Sequence, residues 1–297
     1  MSKTKAIGID LGGTRTKAVA LDENGNILQQ LYFPIDHTND KTWKQAIQNT
    51  VNELQQKINS NDFVIGISAP GIPNEKNSAI AYMPGRLQGL ENFEWSSFLN
   101  KETYIINDAI AALMAEAKLG VVKDKKNVVL LTLGTGVGGA ILIDGKPYQG
   151  NFQKAGHIGH IVIDSEGEPD ITGMPGALED AIGNCTIQKR SEGKFIDTHA
   201  LLQAYRNGDG DAKFIWLTSV KKLAIGIASV INILSPECII LGGGITEAGN
   251  DLFEPLENFL LQYEWRPGGD RCNILKAQFG DMAGAIGAAC FALMKNE

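Results

Sequence analysis

The sequence predicts an α/β protein of two similarly built lobes with a cleft between them. With 297 residues, the chain is longer than one hydrophobic core usually organises. Patterns typical of strands and of amphipathic helices follow one another, and a plan of strand, glycine turn, strand and hairpin turn occurs twice, at residues 7–27 and 130–148. We expect a first lobe of residues 1–117, with a terminal helix at 283–297 packing back on it, and a second lobe of residues 118–282.

Periodicity and turn residues predict the individual elements. Apolar runs bounded by turn residues predict strands at residues 5–10, 17–21, 27–33, 63–68, 103–106, 128–133, 140–143 and 237–241. Apolar residues spaced three and four apart predict helices at residues 43–58, 108–119, 212–234, 250–263 and 283–294. The segment 70–89 is rich in proline and glycine, so we expect it to be irregular.

Composition excludes several classes of function. The net charge is −7, so the chain lacks the excess of Lys and Arg on which nucleic-acid binding depends. The four cysteines are far apart, which predicts reduced, mostly buried thiols. The N-terminus has no apolar signal segment, and polar residues are expected to interrupt every apolar run before it could span a membrane. We therefore expect a cytoplasmic protein that binds neither nucleic acid nor membranes.

The first glycine turn lies within DLGGTRTK at residues 10–17 and joins the first two strands. Glycines let backbone N–H groups converge on an anion, and the nearby hydroxyl and ammonium groups add charge-assisted contacts. The segment is therefore a candidate phosphate clamp. The alternative is a tight hairpin in which the glycines only supply a positive φ.

The second glycine turn, GTGVGG at residues 134–139, formally fits the GxGxxG pattern of dinucleotide-binding proteins. That pattern requires a helix after the glycines, because the helix N-terminus receives the pyrophosphate. A strand-like apolar run follows here instead, which argues against a Rossmann fold, and no P-loop pattern occurs in the chain. Together with the triple glycine at residues 242–244, the two turns suit a nucleotide whose phosphates lie across both lobes.

In the order and spacing of these motifs the chain resembles the superfamily of sugar kinases, actin and hsp70. More narrowly, it resembles the repressor, open-reading-frame and kinase (ROK) family of sugar kinases. The resemblance covers nearly the whole chain and rests on DLGGTRTK, SAPG at 68–71, the Asn107-Asp108 pair, LGTGVGG, AGHIGH at 155–160 and LGGGI at 241–245. It implies a two-lobed actin/hexokinase/hsp70-like (ribonuclease H-like) fold and a homodimer.

The resemblance also implies an ATP site, with Mg²⁺ as the accompanying ion. Asp10 would hold the ion through water, Lys17 and the first turn would surround the β- and γ-phosphates, and the second turn would oppose them. The triple glycine would lie by the adenosine. The residues implied for ATP are Asp10, Gly12, Gly13, Thr14, Lys17, Gly134, Thr135, Gly136, Gly138, Gly243 and Gly244.

A sugar site and a catalytic base are implied in the same way. The residues expected at the sugar are Gly71, Asn107, Asp108, His157, His160 and Glu179. Asp108 would be the base that accepts the proton of the attacking hydroxyl. Judged only by its position before an apolar helix, Asp108 is a helix N-cap, and one residue can serve both roles.

The first departure from the family pattern is His157, which replaces the usual Glu. A neutral imidazole offers one donor and one acceptor where a carboxylate offers only acceptors, so recognition of one or two sugar hydroxyls is expected to differ. The alternative is that His157 only packs or caps at the edge of the cleft.

The second departure concerns a metal. Many family members bind a structural zinc through CxCGxxGCxE and the histidine that corresponds to His160. The aligned residues 170–179 read DITGMPGALE, in which no thiolate remains. We therefore expect no structural zinc. The three cysteine positions are occupied by Asp170, Thr172 and Ala177.

We predict a sugar kinase that transfers the γ-phosphoryl group of ATP to a hexose hydroxyl, with glucose or a related hexose as substrate and O6 as the attacking atom. The alternatives are a kinase of an N-acetylated amino sugar such as N-acetylmannosamine, and a catalytically impaired sugar-binding or sensor protein. A transcriptional regulator is disfavoured because no helix-turn-helix module precedes the first strand. Polyphosphate as donor is disfavoured because Lys and Arg do not cluster.

Overall fold

The computed structural model describes residues 4–12, 15–34, 40–58, 61–83, 87–170 and 172–296. The strands in this part of the chain are β1 (Thr4–Leu11), β2 (Arg15–Asp22), β3 (Ile27–Pro34), β4 (Val64–Ala69), β5 (Ile72–Pro73), β6 (Ile80–Tyr82), β7 (Thr103–Asn107), β8 (Val128–Leu133), β9 (Val137–Ile143), β10 (Lys146–Pro147), β11 (Cys238–Gly242) and β12 (Asn273–Lys276). The helices are α1 (Asp40–Ile58), α2 (Trp95–Leu99), α3 (Asp108–Leu119), α4 (Leu178–Ile182), α5 (Ile187–Arg190), α6 (Thr198–Arg206), α7 (Gly210–Leu234), α8 (Asn250–Tyr263) and α9 (Ala283–Asn296).

Two five-stranded sheets have the same strand order. One sheet runs β3-β2-β1-β4-β7 and the other β10-β9-β8-β11-β12. In the first, the β1–β2 and β2–β3 pairs are antiparallel, whereas β4 and β7 add in parallel. In the second, β9 and β10 form an antiparallel pair, and β8, β11 and β12 are parallel. The internal repeat predicted from the two glycine-turn segments is therefore confirmed at the level of sheet topology.

The chain divides into two compact units. The first comprises Met1–Lys126, Ile141–Ala155 and Ala277–Glu297, and the second comprises Asn127–Ala140 and Gly156–Lys276. The first unit thus contains the terminal helix α9. It also contains residues 118–126, 141–155 and 277–282, which we had expected in the second lobe.

The core of the first unit covers both faces of its sheet. Trp43, Ile47 and Leu54 of α1 are almost fully buried in one cluster with Ile7 and Ile65 of the sheet. A second cluster joins α9 to small and apolar residues of β1, β2, β4 and α3. The predicted amphipathic helix therefore covers one face, and the small-residue terminal helix belongs to the other.

The terminal helix α9 approaches its neighbours so closely that glycine is required at the contacts. A Cβ atom on Gly8 would lie 1.9 Å from the carbonyl oxygen of Ala285, and one on Gly66 would lie 1.9 Å from that of Ala288. On α9 itself, a Cβ atom on Gly287 would lie 1.6 Å from the carbonyl oxygen of Ala111 in α3. Backbone therefore packs directly on backbone across β1, β4, α3 and α9.

The second unit is organised around the long helix α7. Its Trp216 is fully buried, and the indole Nε1 donates a hydrogen bond to the carbonyl oxygen of Asp251, 2.8 Å away. By length and composition, α7 alone among the described helices could cross a membrane, although 56% of its most apolar stretch is buried inside the protein. Lys221 and Lys222 interrupt its apolar run, as the sequence led us to expect, and packing accounts for the apolar character of the rest of α7.

Other expectations hold only in part. The segment 70–89 contains the short β5–β6 hairpin, and β12 and α6 were not predicted individually. The four cysteines are free, as expected, but only Cys238 and Cys290 are buried, whereas Cys185 is exposed.

We expect Gly287→Ala to lower the free energy of unfolding by at least about 2 kcal/mol, because the new methyl group overlaps backbone that cannot move aside independently. The matched control is Gly210→Ala at the first residue of α7, where no heavy atom lies within 4 Å of the new Cβ. Urea unfolding of both variants measures the difference. Equal stability of the two variants would contradict the account of α9 packing.

Candidate functional site

Asp10 lies near the end of β1, with only 14% of its side chain exposed. Its carboxylate accepts a hydrogen bond from Ser68 Oγ at 2.8 Å, and Lys17 Nζ lies 3.4 Å from Oδ2. A Cβ atom on Gly284 would lie 2.5 Å from the Asp10 carboxyl carbon, so this carboxylate packs against the first turn of α9. Burial raises the pKa of Asp10, and the charge of Lys17 and the hydrogen bond from Ser68 offset that effect only in part.

Further charges lie beside Asp10 in the first unit. Arg15 begins β2 and donates a hydrogen bond to Asp281 Oδ2 at 2.8 Å. Lys17 lies two residues further along the same strand and so on the same side of the sheet. Gly12 lies at the start of the turn, where a Cβ atom would approach the carbonyl oxygen of Arg15 to 2.7 Å. Of the other residues implied for the phosphates, Gly13 and Thr14 lie outside the described residues.

The N-cap of α3 is Asn107, which corrects the expectation that Asp108 takes this role. Asn107 Oδ1 accepts a hydrogen bond from the backbone N–H of Ala109 at 2.9 Å, and its Nδ2 donates to the carbonyl oxygen of Gly71 at 3.1 Å. Asp108 is the first residue of the helix and is exposed. Its Oδ1 also accepts from Ala109 N, at 2.8 Å. Three of the residues predicted at the sugar are thereby brought together.

Gly71 has a positive φ of 101°, and a Cβ atom there would lie 2.7 Å from Met83 Cβ. Any other residue would be strained in this conformation and would push the β5–β6 hairpin away. The carbonyl oxygen of Gly71 accepts the hydrogen bond from Asn107, so the backbone conformation of Gly71 helps to hold the start of α3.

In the second unit, the turn between β8 and β9 is closed by hydrogen bonds and supported by Glu179. Gly134 N donates to the carbonyl oxygen of Gly136, and Glu179 Oε2 accepts from Val137 N, each at 2.9 Å. A Cβ atom on Gly136 would lie 2.0 Å from that carboxylate oxygen. Glu179, predicted at the sugar, therefore also braces the glycine turn, while Gly138 lies in β9 just after it.

A cavity of about 420 Å³ lies beside this turn. Three residues predicted at ATP line it, namely Gly134, Thr135 and Gly244. Gly243 has a φ of +87°, and a Cβ atom there would lie 2.4 Å from the carbonyl oxygen of Leu133. Most of the other residues that line the cavity were not predicted, because they belong to none of the motifs, and the only local signal was an Asp N-cap at the start of α6. They include Asn184, Asp197, Thr198 and His199.

His157 and His160 lie side by side around a short 3₁₀ turn, with ring centroids 6.4 Å apart and planes inclined by 12°. His160 Nδ1 lies 3.2 Å from Oδ2 of Asp170, whose side chain is fully buried. The other oxygen, Asp170 Oδ1, accepts from Thr172 N, Thr172 Oγ1 and Met174 N. Burial alone would raise the pKa of Asp170, but the hydrogen bonds from Thr172, Met174 and His160 lower it overall.

This arrangement does not fit a structural zinc. Both oxygens of Asp170 already accept hydrogen bonds, and neither Thr172 nor the alanine at position 177 offers a thiolate. Among the described residues, no group of three or more His, Cys, Asp and Glu side chains could hold a metal ion.

Comparisons with known proteins agree on a single family. The family model described as the ROK family matches residues 6–295. The chain is 30% identical to a glucokinase of Streptomyces coelicolor, over 95% of this chain and 96% of that protein. It is also 30% identical to an N-acetylmannosamine kinase of Escherichia coli, over 96% and 97% of the two chains.

A solved structure shows the same fold. The chain superposes with a TM-score of 0.78 on a ROK family glucokinase from Streptomyces griseus in complex with glucose and AMPPNP. The identity is 25%, and the match covers 97% of this chain and 99% of that chain. The predicted two-lobed actin/hexokinase-like α/β fold is therefore confirmed.

We expect Asp10→Asn to raise the free energy of unfolding at neutral pH in the absence of nucleotide. Because the fold raises the pKa of Asp10, the native state binds this proton more tightly than the unfolded chain does. The resulting stabilisation is present below the ordinary carboxyl pKa and is lost as the pH rises through the raised one. Asparagine cannot ionise and keeps an oxygen for Ser68 Oγ, so it does not undergo this loss.

Urea unfolding of the wild type and Asp10→Asn across a pH series measures this effect. The advantage of the variant should shrink as the pH falls toward the ordinary carboxyl pKa. An advantage that did not depend on pH, or a variant less stable at every pH, would contradict the burial argument.

Proposed function

The chain belongs to the ROK family, and we propose that it is an ATP-dependent sugar kinase that transfers the γ-phosphoryl group to a hexose hydroxyl. The observation that carries the proposal is that Asn107 is the N-cap of α3, while the neighbouring carboxylate of Asp108 is exposed. Asn107 is the N-cap and donates a hydrogen bond to Gly71, and it already accepts from the Ala109 N–H that Asp108 Oδ1 shares, so the cap does not require Asp108. An exposed carboxylate on a rigid helix start suits a general base.

The proposed base is Asp108, which would accept the proton of the attacking hydroxyl as the new bond to phosphorus forms. Phosphoryl transfer depends mainly on positioning and on neutralisation of charge, so the base needs a fixed position more than a high pKa. Asn107 would help by donating or accepting hydrogen bonds at a neighbouring hydroxyl while its cap holds the helix start in place.

For ATP, we propose that Lys17 and the first glycine turn bind the β- and γ-phosphates, and that residues 134–138 bind them through the second turn. The cavity beside Gly134 and Gly244 has a size suited to a nucleoside. Asp10 fits Mg²⁺ because it is a largely buried carboxylate. Burial disfavours its ionised form and raises its pKa, and a bound cation would stabilise that form. When bound, the ion would offset the charge of the phosphates. The glucokinase of Streptomyces griseus, in complex with glucose and AMPPNP, supports this pairing of substrates.

The second candidate substrate class is an N-acetylated amino sugar. A glucokinase and an N-acetylmannosamine kinase are equally similar to this chain, at 30% identity each. The residues proposed for the sugar do not decide between them, because His157 departs from the family's Glu. We also propose that the protein is cytoplasmic and that it forms a homodimer.

We expect the wild type to release ADP from MgATP in the presence of at least one of glucose, mannose, allose, fructose and N-acetylmannosamine. Asp108→Asn should lower kcat on that sugar by at least ~10²-fold while sugar binding persists, since the amide keeps the shape but not the basicity. The control is Asp211→Asn, an exposed acid in the first turn of α7. Near-normal turnover of Asp108→Asn would rule out the base, and no ADP release with any sugar would rule out the kinase.

We expect His157→Glu to change the ratios of kcat/KM among these sugars, with a smaller effect on kcat for the best one. Exchanging imidazole for carboxylate removes a donor, and a site discriminates strongly against a ligand that leaves a buried polar group unpaired. Steady-state kinetics of both proteins over the panel measure the ratios. Unchanged ratios together with lower stability would show that His157 only packs.

A further inference from the structure

The pair formed by His160 and Asp170 determines which nitrogen of the imidazole carries the proton. Hydrogen bonds lower the pKa of Asp170, so its carboxylate is ionised at neutral pH. An ionised carboxylate can only accept hydrogen bonds. Since Asp170 Oδ2 lies 3.2 Å from His160 Nδ1, that nitrogen must be the donor. In the neutral imidazole, Nε2 is then left as an acceptor.

The imidazole is also held in orientation. The side chain of Asp170 is inaccessible to solvent and is held by three donors to Oδ1, so Oδ2 is a fixed acceptor for His160. The His157 ring lies nearly parallel to that of His160. These contacts restrict both the rotation of the ring and its tautomer, which is how an outer hydrogen-bond partner tunes a functional histidine.

We propose that Asp170 is a positioning residue that fixes His160 as the Nδ1–H tautomer and thereby presents Nε2 as an acceptor to a hydroxyl of the sugar. The proposal rests on the proposed function, because it takes His160 to contact the sugar. It implies that a hydroxyl of the substrate donates a hydrogen bond to His160 Nε2. An analogue lacking that hydroxyl, or carrying an ether oxygen there, would leave Nε2 unpaired in a partly buried site.

Asp170→Asn separates the two functions of the carboxylate. The Asn oxygen can keep the position of Oδ1 and its bonds to Thr172 and Met174, while the amide NH₂ takes the position of Oδ2. A donor then faces His160 Nδ1, so the proton should move to Nε2. We expect the KM for the sugar to rise about 10- to 100-fold, with a smaller change in kcat and unchanged affinity for AMPPNP.

The matched control is Thr172→Val. It removes the hydrogen bond from Thr172 Oγ1 to Asp170 Oδ1 but leaves Oδ2 opposite His160. A merely structural role of Asp170 predicts that both variants lose stability and that neither changes the tautomer. The proposal predicts that only Asp170→Asn changes the tautomer and the sugar KM.

Long-range ¹H–¹⁵N spectra read the tautomer directly, without reference to activity. The chain has four histidines, and comparison with His160→Gln assigns the signal. D-glucose and N-acetylmannosamine are the sugars used, in kinetics and in calorimetric titrations. If Asp170→Asn does not fold, the wild-type spectrum still decides which ring nitrogen of His160 carries the proton, and Asp170→Glu tests whether a displaced carboxylate still fixes it.

Protonation of wild-type His160 at Nε2, or a tautomer change in Asp170→Asn with no change in sugar KM, would overturn the proposal. A stoichiometric zinc in the purified protein that is lost in His160→Gln would also overturn it. If the wild type binds neither sugar and releases no ADP with any sugar of the panel, the proposed function fails and the sugar-facing part fails with it. An Nδ1–H signal that changes to Nε2–H in Asp170→Asn would in that case still establish the pair as the determinant of the tautomer.

Discussion

The close approach of α9 to the backbone of its neighbours is the constraint on which the first unit depends. Gly8 and Gly66 let α9 lie directly on β1 and β4, and Gly287 lets it lie on α3. The same approach brings Gly284 against the carboxylate of Asp10 at the end of β1. Packing without intervening side chains therefore both builds the core and desolvates the carboxylate proposed for Mg²⁺. A side chain at any of these positions would separate the layers and return Asp10 to water.

Two carboxylates have pKa values shifted in opposite directions. Asp10 has Ser68 and Lys17 as partners, and burial raises its pKa despite them. Asp170 accepts from two backbone N–H groups, a hydroxyl and an imidazole, and these hydrogen bonds lower its pKa although desolvation alone would raise it. An added cation stabilises the ionised form of a carboxylate whose pKa is raised by burial. A carboxylate that is already stabilised by several hydrogen bonds has less need of a cation. The first pattern suits a binding group, and the second suits a group that holds other residues in place.

The elements that the sequence predicted well are those that periodicity and turn chemistry determine locally. The bounds of α3, α8 and β8 match, and the repeat of glycine turns anticipated the common sheet order. Contacts between remote segments could not be predicted. Asn107 caps α3 and also reaches Gly71, 36 residues away in the sequence, and Asp170 meets His160 only once the loop has folded. The one local signal for Asp170 was its spacing from Thr172, which is typical of an Asx turn.

The two departures from the family pattern complement each other chemically. A histidine that binds a metal through one ring nitrogen carries its proton on the other, which is then a donor. In the proposed tautomer, with Asp170 in place of thiolates, His160 carries its proton on Nδ1 and Nε2 is an acceptor. At position 157, an imidazole that can donate replaces a carboxylate that can only accept. In the proposed arrangement, donor and acceptor character is therefore exchanged between these two neighbouring rings. A sugar hydroxyl both donates and accepts, so it can satisfy the exchanged pair, whereas a change at one position alone would leave a group unpaired.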